Sequence, residues 1–346
     1  MHEEVFTFTS SCMHIWKSIS VSSSFTPTAH FFKRNPDLEA ENVAKMVKIA
    51  LEKVLVHYDF MAGRLKLNNQ TGRLEIGCNA AGAGFVVASS ELLLEEIGPS
   101  LVHPNLGYRQ LAVHNLLSEI DQPLVVFRTL TLPPCYNRHL LAARSLPNAT
   151  FPHLEFIDLH LPIGEGSSPP IFDCPREEDL RYRIFNMKAD DIGKLKEKAK
   201  HTTISSFAVA AAVIWRCKAF SGYTKPEKND TSTLLTMIDV RHRVKPPLPQ
   251  SYSGNTILPI RVSSTFEEVE SGLPYGDYMV SSWLGLGFEQ VEYPWGKPLY
   301  SCPIVNHQKD ICFVFRDSVD GRIAAVVALP AEEMVRFEGL FHDFFA

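Results

Sequence analysis

A chain of 346 residues is long enough for two domains, and 45% hydrophobic with 21% charged residues is the composition of an ordinary soluble globular protein. A formal net charge of -5 and a pI near 6.2 give no broad basic field, so nucleic acid and an anionic membrane surface are excluded as expected partners. Seven scattered cysteines without a C-x-x-C pair read as reduced thiols in a cytoplasmic protein with no structural zinc.

The chain opens M-H-E-E, acidic where a secretory signal is basic, and residues 1–27, rich in Ser and Thr without a clear period, read as an irregular lead-in. From Val43 the pattern sharpens. Val43, Met46, Val47, Ala50, Leu51, Val54 and Leu55 recur at helical spacing, with Lys45, Lys48, Glu52 and Lys53 opposite them, which predicts an amphipathic helix closed by Gly63. His57, near its end, reads as a packed or capping histidine. Leu65 and Leu67, then Leu74 and Ile76, alternate about N-N-Q-T-G and predict a hairpin. A strand is expected over Phe85–Ala88, then a short helix capped by Ser89 or Ser90. The intervening G-C-N-A-A-G-A-G (77–84) has no G-K-[ST] behind it and opens no βαβ unit, so it is not read as a phosphate loop.

Leu154–Leu161 alternates as a half-buried strand, with Asp158 and His160 read as a surface pair. The run P-I-G-E-G-S-S-P-P (162–170) and the charges after it are the best linker in the sequence. Beyond it come a strand over Tyr182–Met187, a Lys-rich helix over Asp190–Lys200, and a buried helix over Ser205–Cys217 capped by Thr202 or Thr203. Its apolar core, Phe207–Trp215, is too short to cross a bilayer. Leu234–Val240 reads as a buried strand, and Ile311–Phe315 and Ile323–Leu329 as a hairpin turning at Asp320–Gly321. Ala331–Phe345 closes the chain as an amphipathic helix.

Val291–Pro298, V-E-Y-P-W-G-K-P, puts two prolines, a glycine and a tryptophan in one stiff turn, suited to locking elements together and not to breaking a bond. Three runs in order carry a family resemblance. V-L-V-H-Y-D-F-M-A-G-R-L (54–65) is similar to H-Y-Y-P-L-A-G-R-L, departing at Asp59, Phe60 and Met61. D-V-R-H-R (239–243) with P-P-L-P-Q-S-Y-S-G-N (246–255) is similar to D-G-R-x-R and P-P-L-P-x-G-Y-F-G-N. The late run resembles D-F-G-W-G-K-P, with Trp295, Gly296, Lys297 and Pro298 matching and Glu292, Tyr293 and Pro294 standing for Asp, Phe and Gly. These are motifs of the plant BAHD acyltransferases.

The resemblance implies an α/β, chloramphenicol acetyltransferase-like fold of two mixed-sheet domains with helices: 1–161, a crossover at 162–181, and 182–346. It implies a monomer that transfers a hydroxycinnamoyl or fatty acyl group from acyl-CoA, a co-substrate and not a bound cofactor, to a small alcohol or amine. Arg241, Glu292, Tyr293, Trp295, Gly296 and Lys297 are carried over as structural residues, with a salt bridge between Arg241 and Glu292.

The family's general base is the His of H-x-x-x-D-G, which removes a proton from the acceptor. None of the thirteen histidines here has Asp four residues on. His307 has Asp310 at three and His153 has Asp158 at five. Where the catalytic strand is due, L-L-S-E-I-D-Q-P runs straight into L-V-V-F-R-T-L-T-L-P-P, so a block is missing near Pro123 and the first domain is incomplete. A second break is expected near Glu270; a skipped exon, a gene-model error or a decayed paralogue would each leave such marks. Impaired transfer is therefore the expectation, with a non-catalytic acyl-CoA-binding remnant or an unstable truncated product as alternatives.

Overall fold

The computed structural model describes residues 5–13, 25–68, 70, 73–89, 133–142, 180–199, 203–222, 231–254, 256–265, 278–286, 292–303, 311–316 and 322–345. In chain order the first elements are β1 (Val5–Met13), β2 (Phe25–Lys33), α1 (Ala40–His57), β3 (Arg64–Asn68) and β4 (Arg73–Gly77). Then come β5 (Leu180–Met187), α2 (Ala189–Lys198), α3 (Ser206–Ser221), β6 (Thr231–Asp239), β7 (Ile257–Thr265) and β8 (Tyr278–Ser282). The last four are β9 (Tyr300–Pro303), β10 (Ile311–Arg316), β11 (Ile323–Pro330) and α4 (Ala331–Phe345). They group into two compact units. Unit 1 holds Met1–Ala142, Leu248–Gly254 and Gly287–Asn306; unit 2 holds Ala143–Pro247, Asn255–Leu286 and His307–Ala346.

In unit 1 the expected irregular lead-in is corrected: β1 and β2 pair antiparallel, and β2 pairs on its other side with β9. The alternation V-F-T-F-T that opens β1 is a β-branched and aromatic pattern, and the Ser and Thr content of the stretch concealed it. Helix α1 forms where its period predicts. Of its apolar face only Val43 and Val47 are buried, whereas Leu51, Val54 and Leu55 are half-buried and Ala50 is exposed. The α-helix stops at His57, not at Gly63, and a 3-10 turn over Asp59–Ala62 fills the gap. Gly63 is required by close approach, since a Cβ there would lie 2.6 Å from the Gly77 carbonyl oxygen. The hairpin β3–β4 has the expected register, with Leu65 opposite Ile76 and Leu67 opposite Leu74. Phe85–Ala88 is irregular and not a strand. Phe85 packs inward, but Val86 and Val87 are 52% and 68% exposed, so both faces of the alternation do not find cover.

Unit 2 is a six-stranded mixed sheet in the order β5-β11-β10-β8-β6-β7, with β8 parallel to both β6 and β10. One face supplies Phe185, Met187, Leu234, Val280, Val314, Ala325 and Val327 to a core shared with α2, α3 and α4. Strand β11 is buried on both faces, as its unbroken apolar run I-A-A-V-V-A-L requires. Helix α3 is buried nearly all round, and its cap is Ser205, whose Oγ accepts from the Ala208 amide at 3.1 Å, in place of the expected Thr202 or Thr203. The strand over 154–161, the helix after Ser90, the Asp320–Gly321 turn and all of the 162–181 crossover except Leu180 and Arg181 lie outside the described residues.

Candidate functional site

Residues 292–300 build a compact knot in unit 1. Tyr293 and Gly296 exchange backbone hydrogen bonds, 3.1 Å from the Tyr293 amide and 2.9 Å from the Gly296 amide, and Gly296 adopts φ 119°, which glycine tolerates and other residues resist. The reversal turns Trp295 inward. Its indole stacks on Tyr293 at 5.0 Å and meets Phe32 of β2 edge-on at 5.9 Å, among Val43 and Val47 of α1. The Leu299 amide then donates to the Phe31 carbonyl at 2.7 Å and leads the chain into β9. Burial raises the Tyr293 phenol pKa above its ordinary value. Glu292 and Lys297 are exposed on the outside of the knot. No proton-transfer pair is present in it.

In unit 2, Arg241 follows the end of β6 and is buried. Its amide donates to Asp239 Oδ1 at 2.8 Å, its guanidinium Nη2 donates to Thr256 Oγ1 at 3.3 Å, and its Nε is 3.8 Å from Asp239 Oδ2. With the Val240 amide on the Thr256 carbonyl at 2.8 Å, these contacts tie the end of β6 to the start of β7.

Among the described residues, His57, His139, His242 and His342 are exposed and His30 is buried. His30 Nδ1 lies 2.8 Å from Ser301 Oγ across the β2–β9 pair. Sequence reasoning missed this contact because its partners are 271 residues apart and neither stands in a motif. Burial lowers the His30 pKa to about 4, so the ring is neutral in the folded protein and a poor proton acceptor near neutral pH. The unfolded chain, with an ordinary histidine pKa near 6.5, takes up a proton that the folded chain refuses. Stability is therefore fully present above pH 6.5 and falls as pH drops towards 4, by on the order of 3 kcal/mol from this group. Urea unfolding at pH 7.5 and 4.5 checks this: His30→Asn is expected to flatten the difference, and an unchanged difference would contradict it.

The glycine-rich loop after β4 is occupied from within. Arg64 Nη1 donates to the carbonyls of Gly82 and Gly63 at 2.7 and 3.0 Å, and Nη2 to that of Ala81 at 3.2 Å. Meanwhile the amides of Ala81 and Gly82 donate to Asn79 Oδ1 and the Ala62 carbonyl. Carbonyls converging on a cation are the reverse of a phosphate cradle. Among the described residues no group of His, Cys, Asp or Glu could hold a metal, and no helix is long and apolar enough to cross a membrane.

A model of the transferase family matches the chain in three consecutive stretches, 15–129, 126–273 and 270–343. The chain belongs to the BAHD acyltransferase family. The joints, at 126–129 and 270–273, fall beside the two breaks expected near Pro123 and Glu270. Acyltransferase GLAUCE of Arabidopsis thaliana is 34% identical over 403 residues, covering 91% of this chain and 88% of that protein. That alignment is longer than the chain itself, so stretches of the relative have no counterpart here. A hydroxycinnamoyltransferase of Narcissus pseudonarcissus is 25% identical over 424 residues, covering 95% of each. The crystal structure of vinorine synthase aligns with a TM-score of 0.62 at 16% identity over 96% of both chains, which shows the chloramphenicol acetyltransferase-like α/β fold.

Proposed function

We propose that this chain is a BAHD acyltransferase scaffold that has lost the proton-abstracting step. Its relatives imply a parent reaction that moves a hydroxycinnamoyl or fatty acyl group from acyl-CoA to a small alcohol or amine, and an unactivated hydroxyl attacks a thioester slowly without a base. The observation that carries the reading is the absence of Asp four residues after any of the thirteen histidines. The place of the family joint at 126–129 and the incomplete cover of α1 support it. A block bearing a central strand would supply both the base and the surface on which Leu51, Val54 and Leu55 close. The protein acts in this reading as a cytoplasmic monomer, with 162–181 as the crossover between its halves.

Purified chain mixed with hydroxycinnamoyl-CoA or fatty acyl-CoA and alcohol or amine acceptors is expected to release free thiol no faster than the blank. Enzyme-dependent release would refute the proposal. Among the described residues unit 2 holds a large buried core, and this favours a second reading in which part of the acyl-CoA site persists. There, acyl-CoA raises the melting temperature without thiol release; no shift at saturating ligand removes it.

The tie expected between Arg241 and Glu292 belongs to the same proposal, with Asp239 as the competing carboxylate 3.8 Å from the Arg241 Nε. A double-mutant cycle of Arg241→Met with Glu292→Gln, compared with Asp239→Asn, apportions the two. No coupling between Arg241 and Glu292 would remove the tie.

A further inference from the structure

The stretch Leu248–Gly254 lies between two segments of unit 2 in sequence but belongs to unit 1. Cys135 and Arg138 hold it there. The Cys135 amide donates to the Ser251 carbonyl at 2.8 Å, and the Ser253 amide donates back to the Cys135 carbonyl at 2.9 Å, a parallel bridge centred on Tyr252. Arg138 Nη1 donates to the Ser253 carbonyl, and the guanidinium stands 5.8 Å from the centre of the buried Tyr252 ring. Between them, Asn137 Oδ1 accepts from the His139 amide at 3.2 Å and starts the short turn that aims Arg138. Tyr136 Oη donates to the His57 carbonyl at the end of α1, and its ring packs on Tyr58 and Phe60.

Gly254 closes the arrangement. A Cβ at that position would collide with Arg138 Nη1 and lie 2.7 Å from Tyr252 Cε1, so any side chain there displaces the guanidinium or the ring. We propose that Cys135–Arg138 is a clip that fastens the Leu248–Gly254 excursion to the end of α1, with Arg138 as its positioning residue. The clip is built entirely from the chain's own groups. It does not depend on whether transfer activity survives.

Hydrogen exchange on the full chain tests it, because the loop amides report the clip and the rest of the molecule does not. Arg138→Met keeps an apolar stem but loses the donor, and is expected to speed exchange over Ser251–Ser253 about tenfold. Arg138→Lys restores a donor and is expected to recover most of the protection. Gly254→Ala, which displaces the guanidinium or the Tyr252 ring, is expected to reproduce the loss. Amides of α3 and β11 stay unchanged throughout. Unaltered exchange in Arg138→Met, or Arg138→Lys behaving like Arg138→Met, would overturn the clip, as would uniform loosening of unit 1. If Arg138→Met does not accumulate, Arg138→Lys against Gly254→Ala decides. Protection kept in the first and lost in the second supports the clip, and no difference between them overturns it.

Discussion

Replacing Trp295 with alanine is expected to cost unit 1 about 3–5 kcal/mol, the usual range for deleting a buried indole. The residue is 9% exposed and sits at the junction of three elements: the knot that carries it, β2 through Phe32, and α1 through Val43 and Val47. Tyr293 is held by its backbone exchange with Gly296 and Phe32 by its strand, so neither ring closes the space. Trp295→Phe keeps part of the stacking and should lose less than half as much. Gly296→Ala, strained at φ 119°, is expected to cost about 1–3 kcal/mol by backbone effect alone. With two units present a single unfolding transition is not assured. The readout is therefore hydrogen exchange of the Val43–Val47 amides against those of β11. Equal loosening of both units, or a loss below about 1 kcal/mol, would contradict the view of this turn as the lock of unit 1.

A comparable loss is expected in unit 2 when Glu333 becomes alanine. Glu333, in the first turn of α4, is 3% exposed, and its Oε1 accepts from Lys218 Nζ at 2.7 Å and from Ser221 Oγ at 3.2 Å at the end of α3. Arg336 Nε donates to the Ser221 carbonyl at 2.7 Å and completes the seam between the two helices. Removing Glu333 takes from Lys218 Nζ the carboxylate 2.7 Å away in a poorly solvated site, which costs about 3–5 kcal/mol. Replacing both, as Lys218→Met with Glu333→Leu, removes the two charges together and is expected to return to within about 1–2 kcal/mol of the parent, with Ser221 still donating to the Lys218 carbonyl. Hydrogen exchange of the α3 and α4 amides in the parent, Glu333→Ala and the double variant makes the comparison. A double variant as weak as the single one would show that the pair contributes net stability by itself, contrary to this account.

Unit 2 was legible in the sequence because its signals are local. The β11 run is apolar throughout, α4 has a clean 3.6-residue period over Ala331–Phe345, and both formed where expected. Unit 1 was less legible because its order depends on distant pairing. Strand β2 is completed by β9, some 270 residues later, and Phe85 packs inward only because Trp295 and Phe32 make a cluster for it. The α3 cap lies two or three residues beyond the expected Thr202 or Thr203, since all three positions offer a hydroxyl and the helix uses that of Ser205. The late tryptophan turn was found from its residue types. Its packing against β2 and α1 could not be, and neither could the Cys135–Arg138 clip, whose partners carry no period or motif.

The most direct test is thiol release from acyl-CoA by the native chain, run beside an intact family member under identical conditions. A rate at the uncatalysed level, with the relative turning over normally, is the predicted result. Turnover that scales with the concentration of this chain would mean that another group removes the acceptor's proton, and would contradict the account.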